Sequence, residues 1–136
     1  MKESVIQNHE FGCGVACAAF VAGESYAVAL SELGEDFANW RGFYCREIVR
    51  YLNGRGVQYG YCYAKPAKRS LAYGEGSIVF IRRSSRYPAG HYIVRHGGLW
   101  MDPWINYRPG ARLADARAGY RRCLPGKIQY ILHKIA

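Results

Sequence analysis

The sequence predicts an α+β fold, with N-terminal helices packed on a C-terminal antiparallel β-sheet. Two observations carry that prediction. The apolar spacing is helical as far as Gly56 and alternating beyond it, and the second half is cut by Pro, Gly and Ser into short runs suited to antiparallel pairing. A third observation sets the scale: 136 residues, half of them apolar, make one domain that buries a core without disulfide staples.

The elements follow in order. From Cys13 to Gly23, "CGVACAAFVAG" is small, apolar and uncharged, which predicts a central helix buried on most sides. "SYAVALSELGEDF" and "GFYCREIVRYLNGRG" read as amphipathic helices; the second places Phe43, Ile48, Val49 and Leu52 on one stripe and stops at Gly54 and Gly56. "VQYGYCYA" then alternates tyrosines with small residues, the period of a strand. "SIVFIR", "HYIVRHGGLWMDP" and "KIQYILHKI" continue as strands, while "KPAKRSLAYGEG" and "RRSSRYPAG" read as loops. No repeat or low-complexity tract divides the chain.

Charge is lopsided. Residues 1–60 hold five Lys/Arg against seven Asp/Glu, and residues 61–136 hold fourteen against three, so the halves carry −2 and +11 of the net +9. A cationic C-terminal half points to an anionic partner: nucleic acid, an acidic peptide or an anionic surface. No stretch reaches the length of a membrane span, and "MKESVIQNHEF" has neither apolar core nor cleavage site, so a cytoplasmic protein without a transmembrane segment is expected. Five cysteines, an odd number at irregular spacing, suit a reducing compartment.

"QNHEFGCGVAC" raises the question of chemistry, because it sets Cys13 between two glycines where a helix begins. A helix start points free N–H groups and its positive end at the sulfur, which favours the thiolate. Gly12 and Gly14 are expected to let a substrate backbone approach, and Gln7 to bring a side-chain amide to the oxyanion beside the Cys13 N–H. The base comes from "GHYIVRHGGLWMDPW". With Gly97 and Gly98 as the two turn residues of a hairpin, His96 faces Leu99 and His91 faces Trp104, which places Asp102 on the face of His91. Diagonal neighbours of that kind lie about 7–8 Å apart at the backbone, close enough for an imidazole and a carboxylate to bond. Asp102 then orients His91, whose other nitrogen is free for a thiol proton. Trp104 is expected to wall the site and shield that bond; with Gly12, Gly14 and Gly90 it makes up the expected substrate-binding set.

Gln7, the "CGVAC" run from Cys13, "GHYIVR" with His91 and the "DP" of Asp102-Pro103 together resemble the C39 family of bacteriocin-processing cysteine peptidases, a branch of the papain-like superfamily. The resemblance spans most of the chain. It implies a single C39-like peptidase domain over residues 1–136 with the papain-like cysteine peptidase fold. By the same resemblance, Cys13 is the nucleophile, His91 the base, Asp102 the orienting residue and Gln7 the oxyanion donor. The chain departs from the family at Gly12, where an acidic residue usually stands, and it lacks the exporter helices and ATPase of the best-known members. The expected function is therefore a stand-alone peptidase acting on a peptide or protein, without metal or other cofactor. Two alternatives use the same scaffold: a toxin or effector acting on RNA or a nucleic-acid-bound protein, and a catalytically silent peptide-binding module.

Other features carry blander readings. Cys17 follows Cys13 by one helical turn, but no second pair at ligand spacing makes a zinc site. His9, His96 and His133 read as turn or strand residues, and "GEGS" as a turn without a phosphate-binding lysine. The tyrosines of "YGYCYA" read as half-buried strand residues. Arg82, Arg83, Arg86, Arg117, Arg121 and Arg122, with Lys65, Lys68 and Arg69, form either a solvated face or the approach to the cleft.

Overall fold

Four α-helices precede a six-stranded antiparallel sheet in the computed structural model, which describes residues 2–135. The helices are α1 (Cys13–Ala22), α2 (Tyr26–Leu33), α3 (Glu35–Trp40) and α4 (Cys45–Gly54). The strands are β1 (Tyr59–Tyr63), β2 (Ile78–Ile81), β3 (His91–His96), β4 (Leu99–Asp102), β5 (Gly119–Arg121) and β6 (Ile128–Lys134), in the spatial order β1-β6-β2-β3-β4-β5. The α+β order expected from the change of period is the order observed.

Three details differ from the sequence reading. The segment expected as one helix after Ser25 is two, because Gly34 takes φ +109 and breaks the turn between α2 and α3. The segment read as a loop after Lys65 forms a 3-10 helix, Pro66–Tyr73, started by a proline whose fixed φ suits a first turn. Strand β5 has only three residues, too few to show a period.

α1 is buried from Gly14 to Phe20, as an uncharged helix should be, and packs between α2, α4 and β3. α4 turns Ile48 and Leu52 into the same core, with neither exposed. On that side of the sheet, Ile78, Val94, Met101 and Leu132 complete the main cluster. The other side carries a smaller cluster of Val79, Ile81, Ile93, Trp100 and Ile131, covered by Ala72 of the 3-10 segment and Tyr87 of the β2–β3 loop. Among the described residues, no single helix is long and apolar enough to cross a membrane.

The hairpin decides where the site lies. Gly97 and Gly98 take φ +57 and +80, the left-handed pair a two-residue hairpin loop requires, and the ladder runs from His96 opposite Leu99 to Val94 opposite Met101. That is the expected register. β4 ends at Asp102, however, before Trp104 can come opposite His91. Pro103 has no N–H to continue the ladder, and the Trp104 N–H donates to Asp102 Oδ1 at 3.0 Å, which curls the chain into a turn.

Candidate active site

Cys13 is the first residue of α1 and is half-buried at the wall of a cleft of about 300 Å³. No side chain caps this helix end, so its first N–H groups have no intrahelical or capping partner and lie beside the sulfur. Across the cleft stands His91, the first residue of β3, 4% exposed. Its Nε2–H donates to Asp102 Oδ1 at 2.7 Å, the diagonal contact that the hairpin register implies. The Nδ1 atom is left for the thiol, and Cys13 lines the same cleft as the His91 ring.

Asp102 has no exposed surface and three partners surround its charge. His91 and the Trp104 N–H share Oδ1, while Arg121 Nε donates to Oδ2 at 3.1 Å and its other nitrogen reaches the Ile105 carbonyl at 3.2 Å. Burial opposes the Asp102 charge, yet the His91 cation, these hydrogen bonds and the Arg121 charge together hold its carboxyl below the usual value. Burial likewise opposes a charge on His91. The Asp102 carboxylate and the Cys13 sulfur outweigh it and raise the imidazole to about 10. At neutral pH the His91–Asp102 pair is therefore an ion pair.

Gln7 reaches the cleft from the segment before α1. Its backbone N–H donates to the Pro103 carbonyl at 3.3 Å, which ties the N-terminal segment to the turn after β4. Its side chain, 2% exposed, donates from Nε2 to the carbonyls of His9 at 3.0 Å and Glu10 at 3.2 Å, and its Oε1 is buried without a partner. Gln7 thus lines the same cleft as Cys13, with its amide nitrogen engaged by the loop. Trp104 and Gly90 also line the cleft.

Gly12 and Gly14 do not line it. Both are buried, and a side chain on either would strike the protein itself: Tyr26 Oη behind Gly12, and Ile48 Cδ1 at 2.9 Å and the Tyr92 ring at 3.3 Å behind Gly14. Their role is to seat α1 against α2, α4 and β3, a correction to the expected substrate approach. The shielding ring is corrected as well. Tyr87 lies flat on His91, with ring centroids 4.8 Å apart and planes within 1°, and Trp104 stands edge-on to Tyr107, which in turn stacks on Tyr87.

Sequence reasoning missed Tyr87 and Arg121 as parts of the site. Arg121 was visible only as one of several basic residues, and Tyr87 only as part of a loop. The histidines outside the site are satisfied elsewhere: His9 bonds Tyr26 and Glu35, and His96 bonds Glu75 at 2.7 Å. Three buried polar atoms without a protein partner border the cleft: Gln7 Oε1, Tyr87 Oη and Trp104 Nε1. An amide oxygen, a hydroxyl and an indole N–H are thus left unpaired and buried in the walls of the cleft. Comparison with models of known protein families and with curated proteins finds no match, so the reading of the site rests on this geometry.

Proposed function

We propose that the chain is a thiol hydrolase that cleaves a peptide bond, with Cys13 as nucleophile, His91 as acid and base, and Asp102 as the residue that orients His91. The observation that carries this reading is the buried His91–Asp102 bond beside a half-buried cysteine at an uncapped helix start, all on one cleft. The order Gln7, Cys13, His91, Asp102 supports a C39-like peptidase on a papain-like fold, and five unpaired thiols suit the cytoplasm.

Cys13 attacks the substrate carbonyl as the thiolate, paired with the His91 imidazolium that the Asp102 carboxylate stabilises. The Cys13 N–H and Gln7 hold the oxyanion, Gln7 by turning one amide N–H away from the His9 or Glu10 carbonyl. The tetrahedral intermediate collapses as the C–N bond breaks and the amine leaves with the proton from His91. Water then attacks the thioester as the now neutral His91 takes its proton, and the C–S bond breaks to release the acid product and restore the Cys13 thiolate beside the imidazolium. Asp102 keeps the imidazole oriented and stabilises its charge at each transfer.

Incubating the protein with a peptide library and mapping new termini by mass spectrometry tests the reading. Cleavage lost in both Cys13→Ala and His91→Ala, with folding retained by circular dichroism, is the expected result; cleavage retained in Cys13→Ala would refute it.

A further inference from the structure

Beside the catalytic cleft and continuous with it runs a larger open groove of about 890 Å³, lined in common by Phe43, Tyr44, Phe80, Arg83 and Tyr92. Its floor is a row of rings across four strands. Tyr63 of β1 lies opposite Tyr130 of β6, Tyr130 opposite Phe80 of β2, and Phe80 opposite Tyr92 of β3. Successive ring centroids are 5.5, 6.3 and 4.8 Å apart. The row starts at the open edge of the sheet, where Tyr63 is 56% exposed, and ends at buried Tyr92, next in sequence to His91. Of α4, only the first turn, Cys45 and Arg46, borders the row.

The groove's charge is one-sided. Arg46, Arg69, Arg82, Arg83 and Lys127 line it, all exposed, and no Asp or Glu does. Among the described residues none of these five makes an ion pair, whereas Arg41, Arg55, Arg112 and Arg121 each have a carboxylate partner within the protein. The five come from α4, the 3-10 segment, the end of β2 and the approach to β6. Their convergence is a product of the fold and not of a basic run in the sequence. Five cations held close together without counter-charge repel one another, and an anionic occupant relieves that repulsion.

We propose that this groove holds an acidic segment of the polypeptide whose acyl bond is presented to Cys13. The proposal rests on the peptidase reading above and narrows its substrate to chains carrying Asp or Glu beside the cleavage point. Single-stranded nucleic acid would also suit cations over aromatic rings. The cleft at the groove's end decides between them. A thiol and an imidazole act on a carbonyl, and a polypeptide brings both carboxylates for the groove and a carbonyl for the thiol, whereas a nucleic acid strand has no acyl bond to offer. Asp and Glu side chains can meet the arginines as charge-assisted hydrogen bonds, while the intervening backbone lies over Tyr130 and Phe80.

Binding to the Cys13→Ala protein tests the groove without requiring catalysis. The probes are short fluorescein-labelled peptides, one of alternating Glu and Gly and one of alternating Gln and Gly, read by anisotropy, with oligouridylate as competitor. The Glu peptide is expected to bind about tenfold or more tighter than the Gln peptide, with an advantage that shrinks as salt is added. Arg82→Glu and Lys127→Glu should each erase the preference, and Arg50→Glu, the same charge change on α4 outside the groove, should leave it. Equal binding of the two peptides, a preference that survives both groove reversals, or oligouridylate displacing the Glu peptide at lower concentration than unlabelled Glu peptide would each overturn the proposal. Those failures leave the thiol reading standing. Tight acidic binding beside an inert Cys13 would instead refute the peptidase reading and keep the groove.

Discussion

The first and second turns of α1 carry the same side chain and opposite chemistry. Cys13 opens the helix at the wall of the cleft, half-buried, with uncapped N–H groups and an imidazole beside it. Cys17, one turn later, has no exposed surface, and burial together with the nearby Cys13 and Asp102 charges pushes its thiol well above the ordinary value. On the proposed reading one attacks and the other packs. On that reading reactivity is a property of position along the helix, because a helix start supplies free donors and access while the next turn supplies only apolar neighbours.

The sharpest way to break that contrast is substitution. Cys13→Ala should abolish peptide cleavage, while Cys17→Ala should keep it and lower stability by about 1 kcal/mol through a small cavity, checked by product mass and denaturant midpoint. Exchanged outcomes would reverse the assignment. Next in size is Asp102→Ala, expected to lower kcat by about 10³-fold or more through loss of imidazole orientation. Its pH profile carries the diagnostic sign. The Asp102 charge is what lifts His91 to about 10 against burial, so removing it should move the alkaline limb of the rate profile to lower pH. An unmoved limb would contradict the orienting role.

The same pair gives folding a pH dependence. His91 binds its proton more tightly folded than at its unfolded value of 6.5, so its contribution is complete below 6.5 and is lost as pH rises toward about 10. Thermal melts should show this alkaline decline in the native protein and a flatter one in Asp102→Ala. Smaller still is Gln7→Ala, expected to lower kcat by about 10²–10³-fold with little change in KM, as befits a donor to the oxyanion. A fall confined to KM would assign Gln7 to ground-state binding. The smallest effect belongs to Tyr87. Tyr87→Phe keeps the ring stacked on His91 and should leave the alkaline limb in place, whereas Tyr87→Ala should expose the imidazole and soften the pH dependence that Asp102 sets up.

Legibility followed the same line between local pattern and fold. The Gly97-Gly98 turn fixed a register, so the meeting of His91 and Asp102 could be worked out from spacing alone. Cys13 was readable because a helix start between small residues is a local signal. Trp104 was placed opposite His91 by extending a ladder that Pro103 and the Asp102 side chain end early. Gly12 and Gly14 were assigned to substrate because a glycine does not announce whether a ligand or the protein's own core lies against it. Arg121 reaches Asp102 from a three-residue strand with no period of its own, and Tyr87 reaches His91 from a loop. The groove's five cations come from segments far apart in sequence, so only the folded sheet brings them together.

Alkylation by iodoacetamide, followed cysteine by cysteine through peptide mapping and mass spectrometry, tests the central claim most directly, because exposed Cys123 serves as an internal reference in the same molecule. Cys13 should react faster than Cys123 at neutral pH, Cys17 should stay unmodified in the folded protein, and His91→Ala should remove the advantage of Cys13. A Cys13 that reacts no faster than Cys123, or that keeps its advantage in His91→Ala, would contradict the thiol–imidazole pairing on which the account stands.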